Sequence, residues 1–272
     1  MSATALKPPF TYYGGKTTLA PKIAGLLPSH EHYIEPFAGS LAVLLAKPRS
    51  KIETVNDLDE DLMTFWRVLR EQPEELERHA RLTPYSRKEL NDASQELSHL
   101  DDMERARRVW VRLTQGRRNS MDHNQGWRSA KAAGVGMSRP AYLETFSNRF
   151  EAVAERIAGV TLESMDAIEM IQYYGGDPSV CIYADPPYLG SVRSGRYGVE
   201  MLEDDMHANL ADVLNKCEAS IVLSGYASSL YEELYKGWHC MEMKAPPNLS
   251  SKKSPNEVLW SNVPLGDQAS LF

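Results

Sequence analysis

Residues 180–188 read Val-Cys-Ile-Tyr-Ala-Asp-Pro-Pro-Tyr, an apolar run that ends in an acid, two prolines and a tyrosine. A short apolar run followed by prolines predicts a buried β-strand that ends in a turn. Ligands of open α/β sheets bind beyond the carboxyl ends of the strands. The stretch therefore places Asp185 where a functional site is expected, and it guides the interpretation of the rest of the chain.

Strand and helix patterns alternate on both sides of this stretch. We predict strands at 32–35, 52–56, 160–162, 180–184 and 220–223. Among the helices predicted between them, one at 40–46 begins on a Ser40 cap, and an amphipathic one follows Leu58. Two late segments near 238–243 and 258–260 predict an antiparallel hairpin at one sheet edge. The alternation indicates an α/β fold with a doubly wound, mostly parallel sheet.

The chain has 272 residues, enough for one α/β domain that carries a smaller insert. After residue 70 the pattern changes to charged helices with Gly-, Asn- and Ser-rich breaks, and α/β alternation resumes after residue 150. We therefore predict that residues 1–70 and 151–272 form the main domain and that residues 71–150 form an inserted helical domain.

The net charge of −7 is unevenly distributed along the chain. Residues 105–149 contain ten Lys or Arg and two acids, so this segment carries +8 and the remainder carries −15. A basic surface on an acidic body can bind phosphate groups locally, with an affinity that falls as salt rises. The alternative is a solvated, arginine-rich helix face.

Composition is ordinary for a globular protein, and no apolar run in the sequence approaches the length needed to cross a bilayer. The first residues lack a signal-peptide pattern. Three widely spaced cysteines favour reduced thiols over a disulfide framework. Reduced thiols predict a cytoplasmic protein. CxxC, HxxxH and HExxH spacings are missing from the sequence, so we predict no metal.

The residue types of Asp185, Pro186, Pro187 and Tyr188 suit one demanding reaction, the alkylation of an aromatic amino group. A carboxylate and a backbone carbonyl can accept both N–H hydrogens, which favours a pyramidal nitrogen whose lone pair faces an electrophile. The prolines stiffen the turn without adding N–H donors, and Tyr188 offers a flat face for a stacked base. The alternative is a structural turn in which Asp185 is a cap and Tyr188 covers the core.

A second candidate segment, residues 33–40, reads Tyr-Ile-Glu-Pro-Phe-Ala-Gly-Ser and predicts a strand, a glycine turn and a helix. Gly39 would let the backbone approach a ligand closely. Asp57 follows the next predicted strand, where an acid can accept hydrogen bonds from ribose hydroxyls. The alternatives are an ordinary connection between strand and helix and, for Asp57, an N-cap.

Residues 12–17, Tyr-Tyr-Gly-Gly-Lys-Thr, end like a phosphate-binding loop. That motif requires a glycine where this chain has Phe10, and no strand pattern precedes the segment, so we reject a phosphate loop. Lys16 could instead bind a small carboxylate, with Tyr12 or Tyr13 packed against it.

In this order, the Tyr-Gly-Gly-Lys, Glu-Pro-Phe-Ala-Gly-Ser, Asn-Asp and Asp-Pro-Pro-Tyr segments resemble the DNA adenine methylase (Dam-like) family of alpha-class amino-methyltransferases. The resemblance covers almost the whole chain. It implies a Rossmann-like methyltransferase fold that uses S-adenosyl-L-methionine. The expected reaction is methylation of N6 of an adenine flipped out of double-stranded DNA, in a bacterial or phage-infected cell and without an obligate protein partner.

The resemblance also implies roles for individual residues. Tyr12 and Lys16 would hold the methionine end of the cofactor, Asp57 its ribose and Asp166 its adenine. The cofactor pocket would be lined by Glu35, Phe37 and Gly39. Family members often have an aromatic residue directly after that last acid, whereas this chain has Ala167, so packing on the adenine must come from elsewhere. The alternative for Asp166 is a helix cap.

The insert would be the target-recognition domain. Residues 116–129 have the composition of a loop that reads bases and phosphates, and the expected DNA contacts there are Arg117, Arg118, Asn119, Asn124 and Arg128. Residues 191–205 are similar to the family loop that closes over the flipped base, which adds Arg193 and Tyr197. The insert does not clearly match the recognition segment of GATC-specific relatives, so that specificity is not transferred.

Two other hypotheses remain open at this point. An amino-methyltransferase of the same fold could act on RNA or on cytosine N4, because the Asp-Pro-Pro-Tyr tetrapeptide does not separate adenine from cytosine. A non-catalytic DNA-binding homologue is the second, although the intact Asp185, Tyr188, Lys16 and Asp57 argue against a loss of activity.

Overall fold

The computed structural model describes residues 5–129, 139–188, 201, 204–243 and 257–266. Within these residues, seven strands form one sheet in the order β3-β2-β1-β4-β5-β7-β6. The strands are β1 (His32–Glu35), β2 (Ile52–Asn56), β3 (Thr161–Glu163), β4 (Val180–Ala184), β5 (Ser220–Tyr226), β6 (His239–Met243) and β7 (Glu257–Ser261).

The first five strands pair in parallel, and β7 runs antiparallel to both of its neighbours, β5 and β6. The order reverses between β1 and β4, which is the position where open α/β sheets bind their ligands. The predicted mostly parallel, doubly wound sheet with a C-terminal antiparallel pair is therefore confirmed. All five residues of β4 are buried, as expected for a central strand covered on both faces.

Helices cover the sheet and fill the middle of the chain. They are α1 (Ala20–Leu26), α2 (Ala42–Ala46), α3 (Glu60–Glu71), α4 (Pro73–Leu82), α5 (Arg87–Ala93), α6 (Asp102–Gln115), α7 (Arg139–Ser147), α8 (Phe150–Ile157), α9 (Ala167–Tyr174), α10 (Asp204–Leu214) and α11 (Ser229–Leu234). The amphipathic helix predicted after Leu58 is α3, which begins where the side chain of Asp59 accepts a hydrogen bond from the backbone N–H of Leu62.

The start of α2 differs from the prediction. Ser40 does not cap this helix, because the N-cap position belongs to Leu41, which has a left-handed backbone with φ of 54°. Gly39, with φ of 46°, shares this left-handed conformation. Two left-handed residues turn the chain sharply after β1, and the sequence pattern showed the glycine but not the strained leucine.

The helices of the insert share a core with the sheet domain. Trp110 and Leu113 of α6 belong to the same buried cluster as Phe65 and Leu69 of α3. The Trp110 indole also donates to the Pro9 carbonyl at 3.2 Å. The α6 helix is thus fixed to the sheet domain through apolar packing, and the predicted domain boundaries at residues 70 and 150 stay a prediction.

The positive charge of α6 is largely directed inward, contrary to both interpretations of the charge pattern. Arg105 pairs with Asp61 of α3, and Arg107 contacts Glu89 of α5 at 2.8 Å. Arg112 is 1% exposed. These arginines hold helices together instead of forming a solvated or DNA-facing surface, so the segment sum of +8 overstates the charge available for phosphate.

Two features are absent from the described residues, a membrane-spanning helix and a metal-binding cluster. No helix there has both the length and the apolar character required to span a membrane. In that same part of the chain, no group of three or more His, Cys, Asp and Glu side chains is suited to holding a metal ion. All three cysteines are free thiols, and Cys181 of β4 is buried.

Candidate active site

A cavity of about 380 Å³ lies at the carboxyl ends of the parallel strands. Turns after four strands bring their residues to it: Phe37 and Gly39 follow β1, Asp57 follows β2, Asp166 follows β3 and Asp185 follows β4. Its size is typical of a small-molecule site. Nine predicted site residues line this cavity: Tyr12, Lys16, Glu35, Phe37, Gly39, Asp57, Asp166, Asp185 and Pro187.

Asp185 is held by an ammonium group at one end of the cavity. Lys16 Nζ donates to both carboxylate oxygens, at 2.7 Å and 2.9 Å, and to the Gly14 carbonyl at 3.0 Å. A second carboxylate, Glu257 of β7, has its Oε1 atom 3.7 Å from the same Nζ. The cluster thus contains two acids and one cation, and it is nearly closed to solvent.

Burial and ion pairing oppose each other in this cluster. Burial lowers the pKa of Lys16, but Asp185 and Glu257 more than offset this effect, so the pKa lies above the ordinary lysine value. Burial raises the pKa of Asp185, and the Lys16 ammonium counteracts the rise. Burial likewise raises the pKa of Glu257 against the opposing effect of Lys16. Lys16 is therefore a cation at neutral pH, shared by two acids.

Tyr188 is enclosed rather than open to a stacked base. The residue is 3% exposed, and it does not line the cavity. Lys16 Nζ lies 4.7 Å from the centroid of the Tyr188 ring. The Tyr226 ring packs against the Tyr188 ring, with 4.5 Å between the two centroids. The Tyr188 hydroxyl donates to Glu257 Oε1. Stacking of a base on Tyr188 thus remains a prediction that requires Lys16 or Tyr226 to move, whereas the alternative of a lid on the core fits this arrangement.

The position of Lys16 also bears on the role implied by the family resemblance. An ammonium that holds the cofactor's methionine carboxylate should have donors available for it. Here the three donors of Lys16 face Gly14 and Asp185, and a second acid lies beside them. The geometry favours a role at Asp185 over a role as carboxylate holder.

Glu35 and Gly39 shape the wall that follows β1. Glu35 is 2% exposed, and its Oε1 atom accepts from the Tyr33 hydroxyl at 2.6 Å and the Leu44 backbone N–H at 2.7 Å. Burial raises the pKa of Glu35 to about 7 despite these hydrogen bonds. A Cβ atom on Gly39 would lie 3.3 Å from the Tyr12 ring, so this turn leaves little space for a larger residue.

Asp57 presents both carboxylate oxygens to backbone donors. Gly39 N–H donates to Oδ2 at 2.9 Å, and Asp59 N–H donates to Oδ1 at 3.0 Å. The N-cap of α3 is Asp59, so the alternative that Asp57 is the cap is wrong. Each oxygen of Asp57 keeps acceptor capacity for a ligand. Burial raises the pKa of Asp57 to about 6, against the lowering effect of the two backbone donors.

Asp166 both caps a helix and lines the cavity. Its Oδ1 atom accepts from the backbone N–H groups of Ile168 and Glu169, at 2.8 Å and 3.2 Å, and so caps α9. The residue also lines the cavity beside Ala167 and Ile168. The aromatic residue expected after this acid is absent, and apolar surface is supplied nearby by Ile168, Phe37 and Met206.

The predicted DNA-contacting residues of the insert divide into exposed and fixed groups. Arg117 and Asn124 are exposed, and Arg118 is exposed while bonded to Asp122 at 2.9 Å. Arg128 donates to the Tyr142 hydroxyl at 2.6 Å and to the side chain of Asn119. Asn119 has φ of 52°, and its carbonyl accepts from Tyr13 N–H at 2.8 Å. The loop is thus bonded to the segment that carries Lys16.

Two predicted residues, Arg193 and Tyr197, lie outside the described residues, together with most of the loop 191–205. Other residues were missed by the sequence prediction. Glu257 directly precedes the strand predicted near 258–260 and was not predicted as a site residue; the signal that could have identified it is an acid at the start of an apolar strand, Glu-Val-Leu-Trp. Met201, Met206 and Asn209 line the cavity but carry no motif.

The sheet order, its reversal between β1 and β4, and the cavity at the strand ends define a class of protein, the Rossmann-like methyltransferases. The family described as D12 class N6 adenine-specific DNA methyltransferase matches residues 12–247. The chain therefore belongs to this family, and it is an enzyme that methylates DNA on adenine N6.

Two relatives show the same relationship over almost their full lengths. The chain is 24% identical over 279 residues to a type II methyltransferase of Lactococcus lactis subsp. cremoris, with 90% of each protein covered. It is 26% identical over 259 residues to the retron Ec67 DNA adenine methylase of Escherichia coli, with 90% of this chain and 88% of that protein covered.

The family decides between the hypotheses left open by the tetrapeptide. The methyl acceptor is adenine N6 and not cytosine N4, and the substrate is DNA and not RNA. The protein is an enzyme and not a non-catalytic homologue. The methyltransferase class implies S-adenosylmethionine as the methyl donor in general.

Proposed function

We propose that the cavity binds S-adenosyl-L-methionine and that Asp185 receives the amino group of an adenine extruded from a specific site in double-stranded DNA. One observation carries this proposal: Asp57, which follows β2, and Asp185, which follows β4, line the same cavity. The same cavity can therefore hold a ribose at Asp57 and an amino group at Asp185.

The residues around the cavity fit the donor. Asp57 has acceptor capacity on both oxygens for ribose hydroxyls, and Asp166 lies on the same wall. Phe37, Ile168 and Met206 offer apolar surface for the adenine ring. Tyr12 and Glu35 line the remaining wall. When bound, the donor supplies a methyl group on a positively charged sulfur.

Asp185 would activate the target amine by accepting one of its N–H hydrogens, while the Pro186 carbonyl accepts the other. These bonds favour a pyramidal nitrogen whose lone pair can attack, and they stabilise the positive charge that develops on it. The stiff prolines keep the two acceptors in place. Pro187 borders the cavity beside them.

The insert would read the DNA. Exposed Arg117 and Asn124 can contact phosphates and base edges, and Arg118 can do so if it leaves Asp122. Asn119 and Arg128 would fix the shape of the loop, because both are bonded to neighbouring segments. Arg193 and Tyr197 are proposed to contact the DNA on the basis of the sequence resemblance alone.

A direct assay tests the proposed function. The purified protein is incubated with methyl-labelled S-adenosyl-L-methionine and genomic DNA that lacks adenine methylation. We expect label in N6-methyladenine alone after digestion to nucleosides, and sequencing of the product should place it at one short recognition site. Label in another nucleoside, or transfer only to single-stranded DNA, would contradict the proposal.

Donor binding should weaken in acid because of Asp57. Its pKa of about 6 means that the carboxylate, which is the better acceptor for ribose hydroxyls, is lost as pH falls through that value. We expect the Kd for S-adenosyl-L-methionine to be about tenfold higher at pH 5 than well above pH 6. Calorimetric titration across this range measures it.

The variant Asp57→Asn is the control for that titration. Asparagine should weaken binding at pH 7.5 and remove most of the change with pH. Glu35, whose pKa is about 7, also lines the cavity, and any dependence that it causes should persist in the variant. Parallel pH profiles for the wild type and Asp57→Asn would show that Asp57 is not the responsible group.

A further inference from the structure

Lys16 stands between the buried carboxylate of Glu257 and the partly buried carboxylate of Asp185 but is hydrogen-bonded only to Asp185. An ammonium has three N–H donors. The three acceptors within hydrogen-bonding distance are Gly14 O at 3.0 Å, Asp185 Oδ1 at 2.7 Å and Asp185 Oδ2 at 2.9 Å. Glu257 Oε1, at 3.7 Å, lies beyond a hydrogen bond but within reach of a small side-chain rotation.

This arrangement restricts the role of Asp185 in the proposed function, on which the following inference rests. The amino group of an adenine requires a carboxylate oxygen whose lone pairs point to it. Both Asp185 oxygens accept from Lys16, and the Tyr188 hydroxyl lies 3.2 Å from Oδ1. The amine would therefore have to share an Asp185 oxygen with a Lys16 donor, and a whole oxygen becomes available to it only when one of these donors leaves.

Moving a buried ammonium away from its partner is costly unless another anion receives it. Lys16 is 6% exposed, so water offers little compensation. Glu257 is 6% exposed, and its Oε1 atom is fixed by the Tyr188 hydroxyl and by the Ser224 hydroxyl at 3.1 Å. Glu257 is thus a fixed anion close enough to Lys16 to accept one of its N–H donors after a small rotation of the lysine side chain.

We propose that Glu257 is a positioning residue: it takes one N–H donor of Lys16 from Asp185 and thereby frees one Asp185 oxygen for the target amine. Lys16 then bridges the two acids, with its remaining donors on Gly14 and Asp185. The cation stays neutralised throughout, and Asp185 keeps one bond that fixes its orientation. Glu257 acts through Lys16 and does not touch the base.

The variant Glu257→Gln tests this role with little change in shape. Glutamine keeps an oxygen that can accept from Tyr188 and Ser224, but it carries no negative charge and so cannot replace Glu257 as the anionic partner of Lys16. We expect single-turnover methylation to slow roughly tenfold or more. The Kd for S-adenosyl-L-methionine and the thermal midpoint should remain close to wild type.

Glu242→Gln is the matched control. Glu242 is an exposed acid of β6, adjacent to Val258 in the neighbouring strand, so this substitution removes the same charge from the same edge of the sheet. It should methylate at the wild-type rate. An equal loss in both variants would mean that general charge at this edge, and not the contact with Lys16, controls the rate.

A double-mutant cycle separates positioning from simple structural support. In a Lys16→Met background no ammonium occupies Asp185, so adding Glu257→Gln should change the remaining rate by less than about threefold. Rates are measured with enzyme in excess and labelled donor, so that slow transfer is still detected. A loss from Glu257→Gln that is equally large in both backgrounds would overturn the proposal.

A structure of the complex gives an answer that does not depend on rates. In a complex with S-adenosylhomocysteine and unmethylated DNA that contains the recognition site, Lys16 Nζ should lie within about 3.2 Å of a Glu257 oxygen. One Asp185 oxygen should face the target base. Retention of both Lys16–Asp185 bonds would overturn the positioning role alone. If the unmodified protein transfers no methyl group to DNA, the proposed function fails, and this inference fails with it.

Discussion

Replacement of Asp185 by alanine is expected to lower methyl transfer by about a thousandfold, since it removes the acceptor that orients and stabilises the target amine. The other acids that line the cavity lie at or after the ends of different strands, and Glu257 faces Lys16 and Tyr188 instead of the cavity. Transfer of labelled methyl groups to DNA under single-turnover conditions measures the loss. The Kd for S-adenosyl-L-methionine should change little, because Asp57 and the apolar wall are untouched.

The fold should survive the loss of Asp185. Burial of this carboxylate is unfavourable, as the raising of its pKa shows, and Lys16 retains Glu257 nearby when the aspartate is gone. We expect no decrease in the thermal midpoint. Asp177→Ala is the control, because Asp177 is an exposed acid before the opposite end of β4. Turnover by Asp185→Ala at the rate of this control would remove Asp185 from the mechanism.

The elements that position the site were predictable because they depend on local patterns. The apolar run of β4, its proline turn and the alternation on either side predicted the sheet, and nine predicted site residues line one cavity. Parallel strands bring their carboxyl ends to the same edge, so residues directly after strands must meet there. For these residues, the position directly after a strand in the sequence was enough to predict the position in the fold.

Contacts between distant segments were not predictable in this way. Lys16 and Asp185 are 169 residues apart in the chain, and Glu257 approaches them because β7 inserts between β5 and β6. The charge pattern of α6 failed for the same reason, since Arg105 and Arg107 pair with acids of other helices. Summing charge within a segment ignores partners elsewhere, and side-chain partners in a folded protein are often distant in sequence.

Neutralisation of Glu53 is expected to have the largest effect on stability among the acids outside the cavity. Glu53 of β2 accepts from Lys47 at 2.7 Å and from Arg156 of α8 at 2.6 Å and 2.8 Å, and all three residues are at most 7% exposed. Burial raises the pKa of Glu53, but the two cations reverse this effect and hold the pKa below its usual value. The acid thus stays ionised between two buried cations.

Glu53→Gln should therefore lower the free energy of unfolding by about 3–5 kcal/mol, because it leaves Lys47 and Arg156 buried without an anion. Urea unfolding followed by circular dichroism measures the change. Glu31→Gln is the comparison: Glu31 pairs with Lys51 at 2.9 Å, but both side chains are exposed, and water replaces the lost partner. That variant should unfold at nearly the wild-type urea concentration. Equal midpoints for the two variants would show that burial does not give the Glu53 cluster its strength, and that its three charges are solvated well enough to tolerate separation.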